Sequence, residues 1–383
     1  MNETERTRKL IQIESTNPGC YEKDIADYLE GVLRGSNIRT VRKEVLPGRP
    51  VLMAELGGNS NFPALVIICH MDTVPLAGGW SRDPLAAEET DGKIYGRGAC
   101  DMKSGLAAAL TAFLETAEDL RRTGEKPDKS IRMIFTMDEE GDMLGAAAAI
   151  QEEFVGRADY VLDTEPTDGQ IQTAHKSRYW FRYTMHGCAA HASKPWEGAD
   201  AISGMAVAVT EIRRRIRLLQ KDDFLGPSTV TFGEIRGGIH PYQVPAECTV
   251  SVDMRIVPPY SAEDMRQILL DAARLAAGEI PGLTCTAEIT GNRPSVPHHP
   301  ESPLLRLLLA ATESAAGKPA EVASFPGYTD TAVIAGQLGN ENTMSYGPGS
   351  LDQAHKPDEY VMTADIRRCK AVYAELFRQY LSL

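Results

Sequence analysis

The chain has 383 residues, enough to bury a large core in two or three domains, and its 43% hydrophobic and 24% charged residues are ordinary for a globular enzyme. A formal net charge of −13 argues against nucleic acid or an anionic membrane surface as partner, because each calls for a basic face. Residues 1–6 lack the apolar core of a signal peptide, no apolar run is long enough to span a bilayer, and the seven cysteines are scattered and never spaced C-x-x-C, so a cytoplasmic protein with reduced thiols is expected.

In chain order, 3–14 and 21–35 read as helices around the turn-forming Ser15-Thr16-Asn17-Pro18-Gly19, and strands follow near 38–46, 51–57 and 64–69. The third strand carries His70 and Asp72 to its carboxyl end, where open α/β sheets gather ligands. His70 reads as a metal ligand, with Asp72 placed to accept its second ring N–H. Taken alone, a histidine there is more often a hydrogen-bonded loop residue. A long Gly- and charge-rich loop, 76–99, leads to Asp101 at the head of an Ala/Leu-rich helix, where an aspartate suits an N-cap as well as a ligand.

After a strand at 131–136 come Asp138, Glu139 and Glu140, three adjacent carboxylates that repel unless solvated or shared with a cation. A further strand ends in Asp163 and Glu165. Three strands ending in acids or histidine fit one metal site better than three solvated turns. From 177 to 290 the order becomes β-α-β-β-α-β, a small α+β domain inserted into a main domain of 1–176 and 291–383. The Pro-rich 292–303 is the expected return linker, followed by a helix at 302–316, a loop at 325–331 and a last helix from 363.

Near the C-terminus stands Ala354-His355-Lys356-Pro357-Asp358-Glu359. With His70-Met71-Asp72-Thr73-Val74-Pro75, Gly98-Ala99-Cys100-Asp101-Met102-Lys103, Asp138-Glu139-Glu140-Gly141, Glu165-Pro166-Thr167 and His186-Gly187…His191, it resembles the M20 metallopeptidases and deacylases, in family order over nearly the whole chain. The resemblance implies an α/β fold: a mixed-sheet zinc-hydrolase catalytic domain with the insert as a ferredoxin-like lid or dimerisation domain. It also implies two Zn²⁺ ions, with Co²⁺ or Mn²⁺ as substitutes. Asp101 would bridge them, His70 and Glu165 completing one and Glu140 and His355 the other. Glu139 would be general base and acid, with Asp72 beside it among the catalytic residues and a cis peptide at Asp101–Met102.

In dimeric relatives the residue matching His191 reaches the partner's active site, so a homodimer through the insert is expected. Arg255 matches the family's substrate-carboxylate clamp, in competition with an ion pair to Asp253. Lys176 and Tyr242 are further substrate-binding candidates, and Ser177 and Tyr242 depart from the usual family residues. A glutamate at 165 matches deacylases and carboxypeptidases, an aspartate the amino- and dipeptidases. The substrate implied is therefore a small N-acyl amino acid, with a short peptide cleaved by a carboxypeptidase as the alternative. A non-catalytic scaffold would have lost the base or a ligand, and none is missing.

Overall fold

The computed structural model describes residues 1–58 and 62–382. Four apolar segments, Ser130–Thr136, Leu65–His70, Tyr160–Asp163 and Thr343–Ser345, lie side by side and parallel in the middle of an eight-stranded sheet. Every residue of Leu65–His70 is buried, as a central parallel strand with both faces covered requires. The hairpin Thr40–Leu46 and Arg49–Gly57 adds antiparallel on one side, and Ile171–His175 and Val322–Phe325 complete the other. The sheet is therefore mixed.

Helices cover both faces. Lys103–Thr123, which meets Glu3–Ile11 and Thr363–Ser382, lays Leu106, Leu110 and Phe113 into the larger core cluster with Ile67 and Cys69. On the opposite face Ala149 of Leu144–Gln151 and Ile334 of Asp330–Leu338 pack with Val66, Ile68 and Ile134. Two glycines let backbone crowd against the Thr164–Glu165 segment. A Cβ at Gly105 would lie 2.1 Å from the Thr164 carbonyl oxygen, and one at Gly347 would lie 2.3 Å from that oxygen and 2.5 Å from the Glu165 carbonyl. No other residue type fits either place without moving the chain that carries Glu165.

The expected loop at 76–99 holds a hairpin instead. Glu88–Thr90 and Lys93–Tyr95 pair antiparallel, and Tyr360–Met362 joins them in a three-stranded sheet. Strands of three residues, one of them mostly charged, are too short for alternation to show. The expected loop at 325–331 ends sooner than its composition suggests, in the helix Asp330–Leu338.

A second compact unit comprises Ala174–Pro297 and Pro326–Tyr328, slightly wider than the expected 177–290. Its antiparallel sheet runs Thr229–Gly237, Glu247–Arg255, Arg178–His186, Thr284–Arg293. With helices Ala201–Leu218 and Ala262–Glu279 this is the β-α-β-β-α-β order of a ferredoxin-like fold, with a core of its own built on Phe181, Tyr183, Met205, Val250 and Leu269. No helix among the described residues is long and apolar enough to cross a membrane.

Candidate metal centre

The parallel strands converge on one point at their carboxyl ends. His70 closes the central strand, and its Nε2 lies 3.0 Å from Asp101 Oδ1 and 3.5 Å from Glu165 Oε1. The other Asp101 oxygen, Oδ2, is 3.3 Å from Nε2 of His355, which sits 3.0 Å from Glu140 Oε2. One carboxylate thus faces a different histidine with each oxygen. Capping is not its role: the helix starts at Lys103 behind Met102, with no side-chain bond to its first turn. The Asp101–Met102 peptide is cis.

The acidic run after Ser130–Thr136 is divided among different partners. Asp138, at φ +63°, accepts from Asn17 Nδ2 at 2.9 Å and Arg49 Nη2 at 3.0 Å. Glu140 turns to His355, and Glu139 is buried beside His70 and Glu165. Two sets, His70 with Glu139 and Glu165, and His70 with Asp101 and Glu140, each bring their ligand atoms within 4.8 Å of one another. Glu139 joins one of these sets within 4.8 Å, whereas Asp101 and Glu165 face the His70 ring at 3.0 and 3.5 Å.

Asp72 does something other than expected. The ring Nδ1 of His70 lies 2.9 Å from the backbone carbonyl of Asp72 but 3.8 Å from its Oδ1. The chain turns directly after His70, so the main chain and not the carboxylate returns to the ring. The carboxylate instead accepts the N–H of Glu139 at 3.1 Å, the N–H of Glu140 at 3.2 Å and Asn17 Nδ2 at 2.8 Å. Asp72 therefore holds the Glu139–Glu140 turn.

Burial pushes Glu139 well above the carboxylate range, opposed by His70 and reinforced by Asp330 and Glu140. Glu165 is raised in the same way, with Asp101 adding to burial. Asp101 moves down: burial would raise it, but hydrogen bonds from His355 and His70 outweigh that. Those bonds and Glu140 push His355 up to about 10. Asp330, buried at the head of its helix, is pushed up to about 7, first by burial. Asp101, Glu139, Glu140 and Glu165 against two imidazoles leave an excess of negative charge that dications neutralise, and mixed N/O donors suit zinc-like metals. The residues fit a metal centre.

The remaining candidates belong to the second unit. His191 is exposed, with Nδ1 2.8 Å from Ser193 Oγ. Tyr242 is exposed and stacks on His240 at 5.0 Å between ring centroids. Lys176 Nζ donates to the Pro227 carbonyl at 2.7 Å. Arg255 grips Asp253 with Nε at 2.8 Å and Nη2 at 3.1 Å, the ion pair that competes with a substrate clamp. Ser177 accepts the Ile256 N–H at 2.8 Å on its hydroxyl. Sequence reasoning gave no role to Asn17, Arg97, Asp330 or Glu359, although Glu359 stands in the same motif as His355.

A mixed α/β fold that gathers two histidines and several carboxylates around one point near the carboxyl ends of its parallel strands is the architecture of a metal-dependent hydrolase. Residues 66–379 match the model of peptidase family M20/M25/M40, and the chain belongs to that family. It is similar to an acetylornithine deacetylase of Erwinia tasmaniensis, 30% identical over 89% of this chain and 87% of the relative. A probable succinyl-diaminopimelate desuccinylase of Staphylococcus epidermidis is 25% identical over 97% of this chain and 96% of its own. Among solved structures, a tripeptidase from Staphylococcus aureus shares the fold with a TM-score of 0.80 and 20% identity, covering 100% of this chain and 98% of its own. An M20 metallo-carboxypeptidase from Sulfolobus solfataricus does so with a TM-score of 0.74 and 17% identity over 100% of both chains. The protein is an M20 hydrolase acting on amide bonds.

Proposed function

We propose that the protein hydrolyses the amide bond of an N-acyl amino acid, with two zinc ions held by His70, Asp101, Glu140, Glu165 and His355. The observation that carries this reading is Asp101, whose two oxygens each face one histidine while Glu139 stands alongside. The named deacetylase and desuccinylase relatives support an acylated amino acid as substrate.

Bound dications would polarise the scissile carbonyl and lower the pKa of the attacking water. The chain's own residues do the rest. Glu139 takes a proton from the water and returns it to the leaving amine nitrogen. Asp72 keeps Glu139 in place through its backbone N–H. Arg255 meets the substrate carboxylate with the edge of its guanidinium turned away from Asp253. Tyr242 and Lys176 contribute to substrate selection, and His191, supplied by the partner of a homodimer, donates a hydrogen bond to the developing oxyanion.

The test is a release assay of zinc-loaded protein on N-acetyl, N-succinyl and peptide-linked amino acids. Cleavage of acyl amino acids is expected, with Glu139→Ala lowering turnover by at least about 10²-fold while zinc content stays the same. Preference for peptides would replace the deacylase reading with a carboxypeptidase. Normal turnover in Glu139→Ala would remove that residue from the mechanism.

A further inference from the structure

Arg97 and Glu359 form an ion pair at 2.7 Å in which each side chain is only 1% exposed. Removing two charges from water is expensive, so a pair this deep needs a reason beyond stability. Its contacts supply one. Glu359 Oε1 accepts the N–H groups of Cys100 at 2.8 Å and Asp101 at 3.1 Å, and Oε2 accepts that of Gly98 at 3.2 Å. Arg97 donates from Nη1 to the Lys356 carbonyl and from Nη2 to the Pro75 carbonyl, each at 3.4 Å. Pro75 ends the segment that begins at His70, Asp101 lies in the second segment, and Lys356 follows His355, whose φ is +62°. Three segments bearing metal-ligand candidates are tied to one buried pair.

We propose that Arg97 and Glu359 are positioning residues that set the spacing of Asp101 and His355, and so decide whether the site holds a second metal ion. The inference rests on the dinuclear reading above. A carboxylate is required because both its oxygens face donors. In Glu359→Gln the amide NH₂ confronts either the Cys100 and Asp101 N–H groups or those of Gly98 and Arg97, whichever way it is turned. Volume is kept and the hold on the Asp101 main chain is lost. Arg97→Lys keeps the charge but replaces a planar fork reaching three acceptors with a single point.

Equilibrium dialysis against zinc at fixed free concentration, alongside thermal unfolding of the metal-free proteins, tests this. Wild type is expected to hold two ions. Glu359→Gln should bind the second about 10- to 100-fold more weakly, with activity recovered by excess zinc, and Arg97→Lys should shift the same way. Tyr373→Phe, which removes a buried hydrogen bond to the Tyr346 carbonyl elsewhere in this unit, should lower Tm without changing zinc affinity. If Glu359→Gln does not fold, Arg97→Lys carries the comparison. Wild-type zinc affinity in folded variants of both residues would overturn the proposal. Fewer than two ions in the wild type would overturn the dinuclear reading beneath it.

Discussion

Asp72 shows how finely single contacts divide labour in this site. Its carbonyl holds the His70 ring while its carboxylate holds two backbone N–H groups of the acidic turn. Asp72→Asn keeps the first contact and disturbs the second, since an amide NH₂ must face one of those donors. Turnover should therefore fall about 10- to 100-fold with the His70 metal retained, as read by steady-state kinetics beside metal content. Loss of metal at unchanged kcat would instead assign the carboxylate to His70. The sequence places His70 and Asp72 together by their spacing at the end of one strand. It does not reveal which atom of Asp72 does what: that depends on where the chain turns next. Glu359 is hidden for a related reason. Apart from Arg97, its partners are backbone N–H groups, which every sequence contains.

At the scale of elements, long apolar strands and helices are legible because burial imposes a period on them. The short hairpin Glu88–Thr90 with Lys93–Tyr95, and the strand Thr343–Ser345, are not, since three residues carry no period and their pairing is set by distant parts of the chain. The strand Ile171–His175 ends in a residue with a measurable signature. Burial pushes the His175 imidazole down to about 4. The unfolded chain takes up a proton near the ordinary value of 6.5 while the folded chain does not until about pH 4. Stability from this group is thus fully present above pH 6.5 and lost as pH falls through 4, by roughly 3 kcal/mol when complete. His175→Gln should flatten that part of the acid limb, seen as a smaller drop in urea midpoint between pH 7.5 and about 4.5 than in the wild type. Parallel pH profiles would show that the ring does not titrate between the two states.

At the scale of the whole molecule, the outer strand Thr229–Gly237 of the second unit pairs on one edge only among the described residues, and its Ile235 is 61% exposed. Ile239 and Tyr242 are exposed as well. An open edge with apolar side chains is a surface that folded proteins cover, and it supports the proposed homodimer through this unit. If His191 acts across that dimer, mixing His191→Ala with Glu139→Ala subunits should restore activity toward one quarter to one half of the wild-type level, because one site in each mixed dimer then has both groups. No gain over the parent variants, with mixed dimers demonstrated by mass, would place His191 outside the partner's site.

Thr343–Ser345 lies between Tyr160–Asp163 and Ile171–His175, although the ribosome delivers it long after both. The four strands of the inserted sheet are all made by residue 293, whereas the eight-stranded sheet waits for residue 343 to fill its gap, and the last metal-ligand candidate, His355, comes later still. A nascent chain stalled between those points has every strand of one sheet and a vacancy inside the other. It carries Glu139, Asp101 and His70 but not His355. The order of synthesis thus brings the last member of the candidate metal centre to the molecule only after every strand of the inserted sheet has been made.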